Sequence, residues 1–230
     1  MLGVYDYTVI LTYLSALSAG IGVIVSLYGT GHPYYGTFFL LFCGLCDAFD
    51  GKVARTKKNR TEFEKKFGIQ IDSLSDLLAF GVLPACIGSA MIRVSTKLQE
   101  LPLRKYQTRM EFRTALLLCV VIVVYILAAL IRLAYFNVSE EERQATEAGG
   151  RKYYEGLPVT SAALLFPTVE LLQYLVPADL TIAYFVLMFV MSIAFVSKVR
   201  IPKPQMKGIL TFIGIGVVEF IILFLHWLRH

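Results

Sequence analysis

Seven long apolar runs, separated by polar segments, dominate the chain. They cover residues 8–28, 34–52, 72–93, 114–136, 157–176, 179–198 and 208–228. Each run is long enough to cross a hydrocarbon core of about 30 Å as a helix. The pattern therefore predicts an all-α integral membrane protein, a polytopic helical bundle in which residues 1–230 form one transmembrane domain.

Prolines interrupt the stretch 157–198, which contains the fifth and sixth apolar runs. Residues 177–179, with the sequence Pro-Ala-Asp, can form a turn short enough to join two antiparallel helices. Pro158 and Pro167 lie within the fifth run, where kinked helices are the alternative. The pattern therefore leaves two short helices or kinked helices open for residues 157–198.

Composition and charge support a membrane location and suggest an orientation. With 57% hydrophobic residues and a mean hydropathy of +0.64, the chain is far more apolar than a soluble domain requires. Basic residues concentrate in two short loops, 55–66 and 198–207, of the kind that favours the cytoplasmic face. We therefore expect a multi-pass cell-membrane protein with both loops in the cytoplasm. The basic loop at 93–113 would then lie outside, unless the helix count between the third and fourth runs is wrong.

Four aspartates interrupt the apolar sequence around the second and third runs. The pattern is Asp47-x-x-Asp50-Gly51-x-x-Ala54-Arg55, then twelve residues, then Gly68-x-x-x-Asp72-x-x-x-Asp76. On an α-helix, each of the two sets shares one face. Antiparallel packing of the two helices, joined by a polar connection of about seventeen residues, would bring the carboxylates together. A carboxylate within a membrane costs about 2.5–3.5 kcal/mol, so four together indicate cations that offset this cost.

Oxygen ligands favour Mg²⁺ or Mn²⁺ over zinc at this cluster, because no Cys or His joins it at ligand spacing. Two divalent cations would balance four negative charges and stabilise the attacking and leaving oxygens of a phosphoryl-type transfer. The small residues Gly51, Ala54 and Gly68 would let a nucleotide phosphate approach the helices closely. Arg55 can pair with such a phosphate. Two alternatives remain open: the aspartates are solvated helix caps, with Asp72 capping the third helix, or they mark a transporter's ion or proton path.

This pattern resembles the signature of the CDP-alcohol phosphotransferases, D-x2-D-G-x2-A-R, a spacer, then G-x3-D-x3-D. Every signature position is filled here, although the spacer of twelve residues is longer than is usual in the family. The resemblance implies a six-helix core with the site near the cytoplasmic surface, so that the seventh helix would be an addition. It implies that an acceptor hydroxyl attacks the β-phosphorus of a CDP-linked lipid and expels CMP. A homodimer is a further implication.

The resemblance also implies roles for individual residues. The implied metal ligands are Asp47, Asp50, Asp72 and Asp76. The last of these is also the candidate catalytic base. The residues implied to bind the cytidine diphosphate are Asp47, Asp50, Gly51, Ala54, Arg55 and Gly68, with Thr12 of the first run as a further candidate.

Three phrases resemble the phosphatidylserine synthase branch: residues 72–84, with the sequence DSLSDLLAFGVLP, residues 132–137, RLAYFN, and residues 156–158, GLP. In that branch the donor is CDP-diacylglycerol, the acceptor is L-serine and the product is phosphatidylserine. The candidate acceptor-binding residues are Arg132, Asn137 and Tyr154, with Lys152 and Tyr153 beside them.

Several alternatives to this interpretation remain. Arg132 can instead extend to the membrane interface, and the tyrosines can belong to an aromatic belt. Glycerol 3-phosphate or inositol phosphate are the alternative acceptors, for which Arg132 and Lys198 would supply positive charge. Membrane lipids are expected partners in every case, and nucleic acid is not.

Overall fold

The computed structural model describes residues 2–28, 32–95, 98, 109–146, 153–176, 178–202 and 206–229. Seven helices contain most of these residues. Their bounds are Ile10–Leu27 (α1), Pro33–Ala54 (α2), Glu62–Val94 (α3), Arg109–Thr146 (α4), Ala162–Leu175 (α5), Thr181–Val196 (α6) and Met206–Arg229 (α7). Within the described ranges, α1, α3 and α4 are long and apolar enough to cross a membrane, and α5, α6 and α7 contain shorter apolar stretches. The predicted all-α, multi-pass membrane architecture is confirmed.

The third helix begins at Glu62, well before the predicted start of its apolar run at residue 72. Thr61 caps it: the Glu64 N–H donates to Thr61 Oγ1 at 3.1 Å, and the Thr61 N–H donates to Glu64 Oε2 at 2.7 Å. This reciprocal capping starts a helix in charged sequence that hydropathy does not detect. The predicted connection of about seventeen residues is therefore wrong, because only residues 55–61 separate α2 from α3. Asp72 lies inside α3, which excludes the alternative that it caps the start of this helix.

The structure decides between the two alternatives for residues 157–198 and adds a pair of short strands. Residues 157–198 form two helices, α5 and α6, and Pro167 is accommodated inside α5. A single 3₁₀ turn, Val159–Ser161, precedes α5. The short strands Tyr153–Glu155 (β1) and Arg200–Pro202 (β2) pair antiparallel, an arrangement with no counterpart in the predicted pattern.

Residues Leu77–Val82 of α3 wind as a π-helical segment directly after the last of the four aspartates. Pro84 contributes to this irregularity, since proline has no N–H to donate back to the Phe80 carbonyl. The Tyr125 hydroxyl of α4 donates to that carbonyl instead, at 2.6 Å, and the Tyr184 hydroxyl of α6 donates to the Pro84 carbonyl at 2.8 Å. Both tyrosines are fully buried. They fix this turn of α3, and with it the neighbouring aspartates, against α4 and α6.

The packed core surrounds these tyrosine rings. The Phe166 ring centroid lies 5.6 Å from that of Tyr125 and 4.6 Å from that of Tyr184. Lipid tails are as apolar as such side chains, so close packing and hydrogen bonds, rather than the hydrophobic effect, hold membrane helices together. α1 and α2 approach closely at Gly36, where an added Cβ would overlap the Ser26 hydroxyl.

The basic loops lie at two opposite ends of the bundle. Successive helices run in opposite directions, so residues 55–66, which include the start of α3, and residues 198–202, which follow α6, lie at one end, as predicted. At the other end, Ser95 Oγ donates to Asp179 Oδ2 at 2.5 Å and joins the end of α3 to the start of α6. The loop at 93–113 begins there, and most of it lies outside the described residues. The cytoplasmic location of the first end stays a prediction.

Gly156, which connects β1 to α5, has a positive φ of 78°. An added Cβ would lie 2.7 Å from the Phe195 carbonyl oxygen and 2.8 Å from that of Ser197. Gly156→Ala is therefore expected to destabilise the protein by about 1–3 kcal/mol, the usual cost of this backbone conformation with a side chain. The measurement is thermal unfolding in detergent. Gly214→Ala in α7 is the matched control, because an added Cβ there meets nothing within 4 Å; equal Tm values for the two variants would contradict the prediction.

Candidate active site

Four aspartates gather where the end of α2 meets α3. The carboxylate oxygens of Asp47, Asp50 and Asp72 lie within 4.8 Å of one another. Asp76 lies one helical turn beyond Asp72, is buried, and interacts electrostatically with the other three. The structure thus brings together the four residues whose spacing predicted a shared site.

The trio Asp47, Asp50 and Asp72 has a chemistry that suits a divalent cation. The carboxylates of Asp50 and Asp72 offer oxygens within 4.8 Å of each other, a separation that is unfavourable for two ionised groups unless a proton or a cation offsets their repulsion. Arg55 contributes one positive charge near Asp50, too little to balance four carboxylates. Mg²⁺ and Mn²⁺ prefer carboxylate oxygens, so the residues present fit either ion.

Helix α1 closes one side of the cluster. Thr12 is buried, and its hydroxyl donates to Asp50 Oδ2 at 3.4 Å, a long hydrogen bond. The Ser75 hydroxyl, between two of the aspartates in sequence, donates to the Thr12 carbonyl oxygen at 3.1 Å. The structure therefore places Thr12 at the site, while its predicted contact with a nucleotide stays a prediction.

Comparison with known proteins identifies the family. The family model described as CDP-alcohol phosphatidyltransferase matches residues 8–228. The chain belongs to the CDP-alcohol phosphatidyltransferase family. This confirms the family resemblance and the enzyme class that the aspartate pattern predicted.

Three curated relatives of this phosphatidyltransferase are informative. The chain is 33% identical over 140 residues to the CDP-diacylglycerol–serine O-phosphatidyltransferase of Saccharomyces cerevisiae, an alignment covering 59% of this chain and 42% of that protein. It is 28% identical over 199 residues to the archaetidylserine synthase of Methanothermobacter thermautotrophicus, covering 86% and 70%. It is 25% identical over 193 residues to the CDP-diacylglycerol–serine O-phosphatidyltransferase of Helicobacter pylori, covering 82% and 70%. The match thus spans less than half of the yeast protein.

Two glycines of this family member lie beneath arginine side chains beside the aspartates. An added Cβ at Gly51 would lie 3.7 Å from Arg55 Nη2, and one at Gly68 would lie 2.6 Å from Arg60 Nη2. Ala54, the other small residue of the pattern, is the last residue of α2 and is partly buried. Sequence reasoning missed Arg60, because hydropathy placed it in a long loop rather than directly before the cap of α3.

Arg132, a predicted acceptor-binding residue, is buried in α4. Its Nε–H donates to the Leu157 carbonyl oxygen at 3.1 Å, and its guanidinium lies 5.6 Å from the centre of the Phe136 ring. These contacts tie α4 to the segment that leads into α5. Arg132 therefore does not extend freely to the membrane interface, and its binding of an acceptor stays a prediction.

Asn137 lies closer to the aspartates. Its side-chain amide donates to Ser73 Oγ at 2.8 Å, and Ser73 is the neighbour of Asp72. This bond positions the aspartate-bearing part of α3 against α4. Tyr154 lies in β1, but its side chain falls outside the described part of the chain, as does Lys152 entirely.

Ion pairs attach the segment before α1 to the rim of the site. Lys57 Nζ lies 2.6 Å from Asp6 Oδ2 and 2.7 Å from Glu64 Oε1. The hydrogen bond from Lys57 lowers the pKa of Asp6 from 3.8 to about 2, so Asp6 keeps its charge in more acidic solution than an aspartate with the ordinary pKa. Sequence reasoning missed this contact, since nothing local links residues so far apart. The result is a fixed loop 55–61 next to the aspartates.

Proposed function

We propose that this phosphatidyltransferase transfers the phosphatidyl group from CDP-diacylglycerol to the hydroxyl of L-serine. The serine oxygen forms a bond to the β-phosphorus while the bond from that phosphorus to the oxygen bridging to CMP breaks. CMP leaves with that oxygen, a base takes the serine proton, and phosphatidylserine is the product. The main support is the convergence of Asp47, Asp50 and Asp72 in a chain that the family model matches over residues 8–228.

Each aspartate has a role in this proposal. Asp47, Asp50 and Asp72 hold the divalent cations, which when bound would offset charge on the phosphate oxygens of the donor. Asp76 is buried beside this trio and accepts the serine proton, because an alcohol is a weak nucleophile until a base takes its proton. A carboxylate within reach of the trio, yet outside it, suits that task.

The nucleotide lies over the small residues in this proposal. Gly51 and Gly68 have no side chains of their own on the two facing helices, and the guanidinium groups of Arg55 and Arg60 lie in the space beside them, where a diphosphate could meet both the helix surface and the positive charge. Arg55 and the hydroxyl of Thr12 both interact with Asp50 and supply donors. Ala54, the last residue of α2, extends this surface of small side chains to the end of the helix.

The names of the relatives support serine as the acceptor. The yeast and Helicobacter proteins are named as serine O-phosphatidyltransferases, and the archaeal protein as an archaetidylserine synthase. These names imply different lipid donors, since two of them specify CDP-diacylglycerol and the third specifies an archaetidyl product. Because the archaeal alignment covers 86% of this chain, transfer of an archaeal lipid phosphate to serine is a second candidate. Glycerol 3-phosphate and inositol phosphate receive no support from these names.

Orientation and assembly belong to the same proposal. The end of the bundle with the aspartates carries the basic segments 55–66 and 198–207, and short basic segments between membrane helices favour the cytoplasm. We therefore place the active site at the cytoplasmic surface of the cell membrane. A homodimer is the assembly that the family resemblance implies.

Release of CMP by the purified protein tests the proposed reaction. In detergent with CDP-diacylglycerol and Mg²⁺ or Mn²⁺, CMP should appear only when L-serine is added, and a chelator should abolish it. Parallel reactions contain glycerol 3-phosphate, inositol phosphate or no acceptor. A CDP-linked archaeal lipid replaces CDP-diacylglycerol in a second series and reports which lipid is preferred.

Other outcomes would contradict the proposal in different ways. CMP release with a different alcohol would assign the protein to a sibling transferase with the same site. Absence of CMP with every acceptor, combined with divalent-ion flux in sealed vesicles, would instead support the transporter alternative.

A further inference from the structure

Arg60 places a second guanidinium beside Gly68 of α3, on the helix that carries Asp72 and Asp76. Its Nη2 lies where a side chain at Gly68 would begin, 2.6 Å from the position of an added Cβ. The same nitrogen donates to the Glu64 carbonyl oxygen at 3.1 Å, which holds the arginine along the first turns of α3. Gly68 precedes Asp72 by one turn, about 6 Å along the helix. The guanidinium therefore lies beside the helix that carries two of the aspartates.

The positive charge of Arg60 has no carboxylate partner within the described ranges. Lys57, in the same loop, differs in this respect, because Asp6 and Glu64 lie within 2.7 Å of its Nζ. Arg60 Nε is buried yet makes no hydrogen bond. Buried donors are nearly always paired, so this nitrogen is suited to a ligand that supplies an oxygen acceptor.

We propose that Arg60 binds the diphosphate of the CDP-linked donor, opposite Arg55 of α2. This inference rests on the proposed function. Each of the two glycines has a guanidinium beside it, Arg55 at Gly51 and Arg60 at Gly68, so the two arginines flank the surface where the diphosphate would lie. A guanidinium donates two parallel hydrogen bonds to a phosphate, a geometry that an ammonium group does not match. On binding, Nε and Nη2 of Arg60 would both gain phosphate oxygens as acceptors.

Binding of CDP and of cytidine to the full-length protein in detergent with Mn²⁺ tests this role. Calorimetry should show that Arg60→Gln weakens CDP binding about tenfold or more, since hydrogen bonds to charged groups are strong. Cytidine binding should be unchanged, because cytidine has no phosphate. Arg60→Lys should fall between the wild type and Arg60→Gln. Lys58→Gln, which removes the same charge from an exposed position of the same loop, should bind CDP like the wild type.

The outcomes separate this inference from the proposed function. Wild-type binding of CDP with equal binding by Arg60→Gln would overturn the inference and leave the proposed function intact. Equal weakening of CDP and cytidine by Arg60→Gln would also overturn it, because that result indicates a structural role. Absence of CDP binding by the wild type would contradict the proposed function and the inference together. An unchanged Tm for Arg60→Gln would confirm that a binding defect does not arise from unfolding.

Discussion

Asp76→Asn is expected to lower kcat for CMP release by about 10²–10⁴-fold, the usual contribution of a general base. Asparagine has nearly the same shape as aspartate but cannot take the acceptor's proton. The variant should remain folded, because Asp76 is buried among three other carboxylates and its removal lessens their mutual repulsion. Serine-dependent CMP release and the Tm in detergent are the two measurements.

Glu170→Gln is a matched control for this prediction. Glu170 is also a buried carboxylate, hydrogen-bonded to Thr37 of α2. Thr37 precedes Asp50 by thirteen residues, which corresponds to about 20 Å along α2. The same chemical change should therefore leave CMP release near the wild-type rate. Full activity of Asp76→Asn, or equal losses in both variants, would reject Asp76 as the base.

The sequence was sufficient to predict the bundle and the aspartate site because both depend on regular helix periodicity. Seven apolar runs gave seven helices, since a membrane allows few other structures for such segments. The aspartates at 47 and 50, and at 72 and 76, recur at the spacing of one helix face. Two antiparallel helices then suffice to bring them together.

Hydropathy could not show where charged sequence is helical. The start of α3 at Glu62 depends on the Thr61 and Glu64 cap, a pattern that was present in the sequence but lies outside the apolar run. The shorter connection moves Arg60 next to Gly68, a contact that the predicted long loop did not suggest. Capping residues, examined alongside hydropathy, would have located this part of the site.

Tertiary contacts account for the remaining differences. The attachment of Asp6 to Lys57 joins residues that are distant in sequence, and no local pattern encodes it. Arg132 was a candidate acceptor-binding residue because residues 132–137 resemble the phosphatidylserine synthase branch, and the structure adds that it is buried and that its Nε–H donates to the Leu157 carbonyl oxygen. Burial alone does not distinguish an arginine that binds substrate from one that holds a loop.

Asp72→Asn should weaken Mn²⁺ binding more than about 100-fold. Replacing a residue that only hydrogen-bonds to a metal ligand typically costs 10–100-fold in metal affinity, and replacing a ligand itself should cost more. Asp72 belongs to the trio whose oxygens lie within 4.8 Å of one another, and an amide lacks the negative charge with which a carboxylate attracts a divalent cation. CMP release should be lost at low Mn²⁺ and return in part at high Mn²⁺. Electron paramagnetic resonance of free Mn²⁺ gives the affinity directly.

The same Mn²⁺ titration on Asp76→Asn tests whether Asp76 is a metal ligand or the catalytic base. Asp76 lies outside the trio, so its replacement should leave Mn²⁺ affinity within a few-fold of the wild type while CMP release stays low at every Mn²⁺ concentration. Recovery of Asp76→Asn at high Mn²⁺ would instead make Asp76 a fourth ligand. In that case the base must be sought elsewhere, and Asp72→Asn and Asp76→Asn should respond to added metal alike.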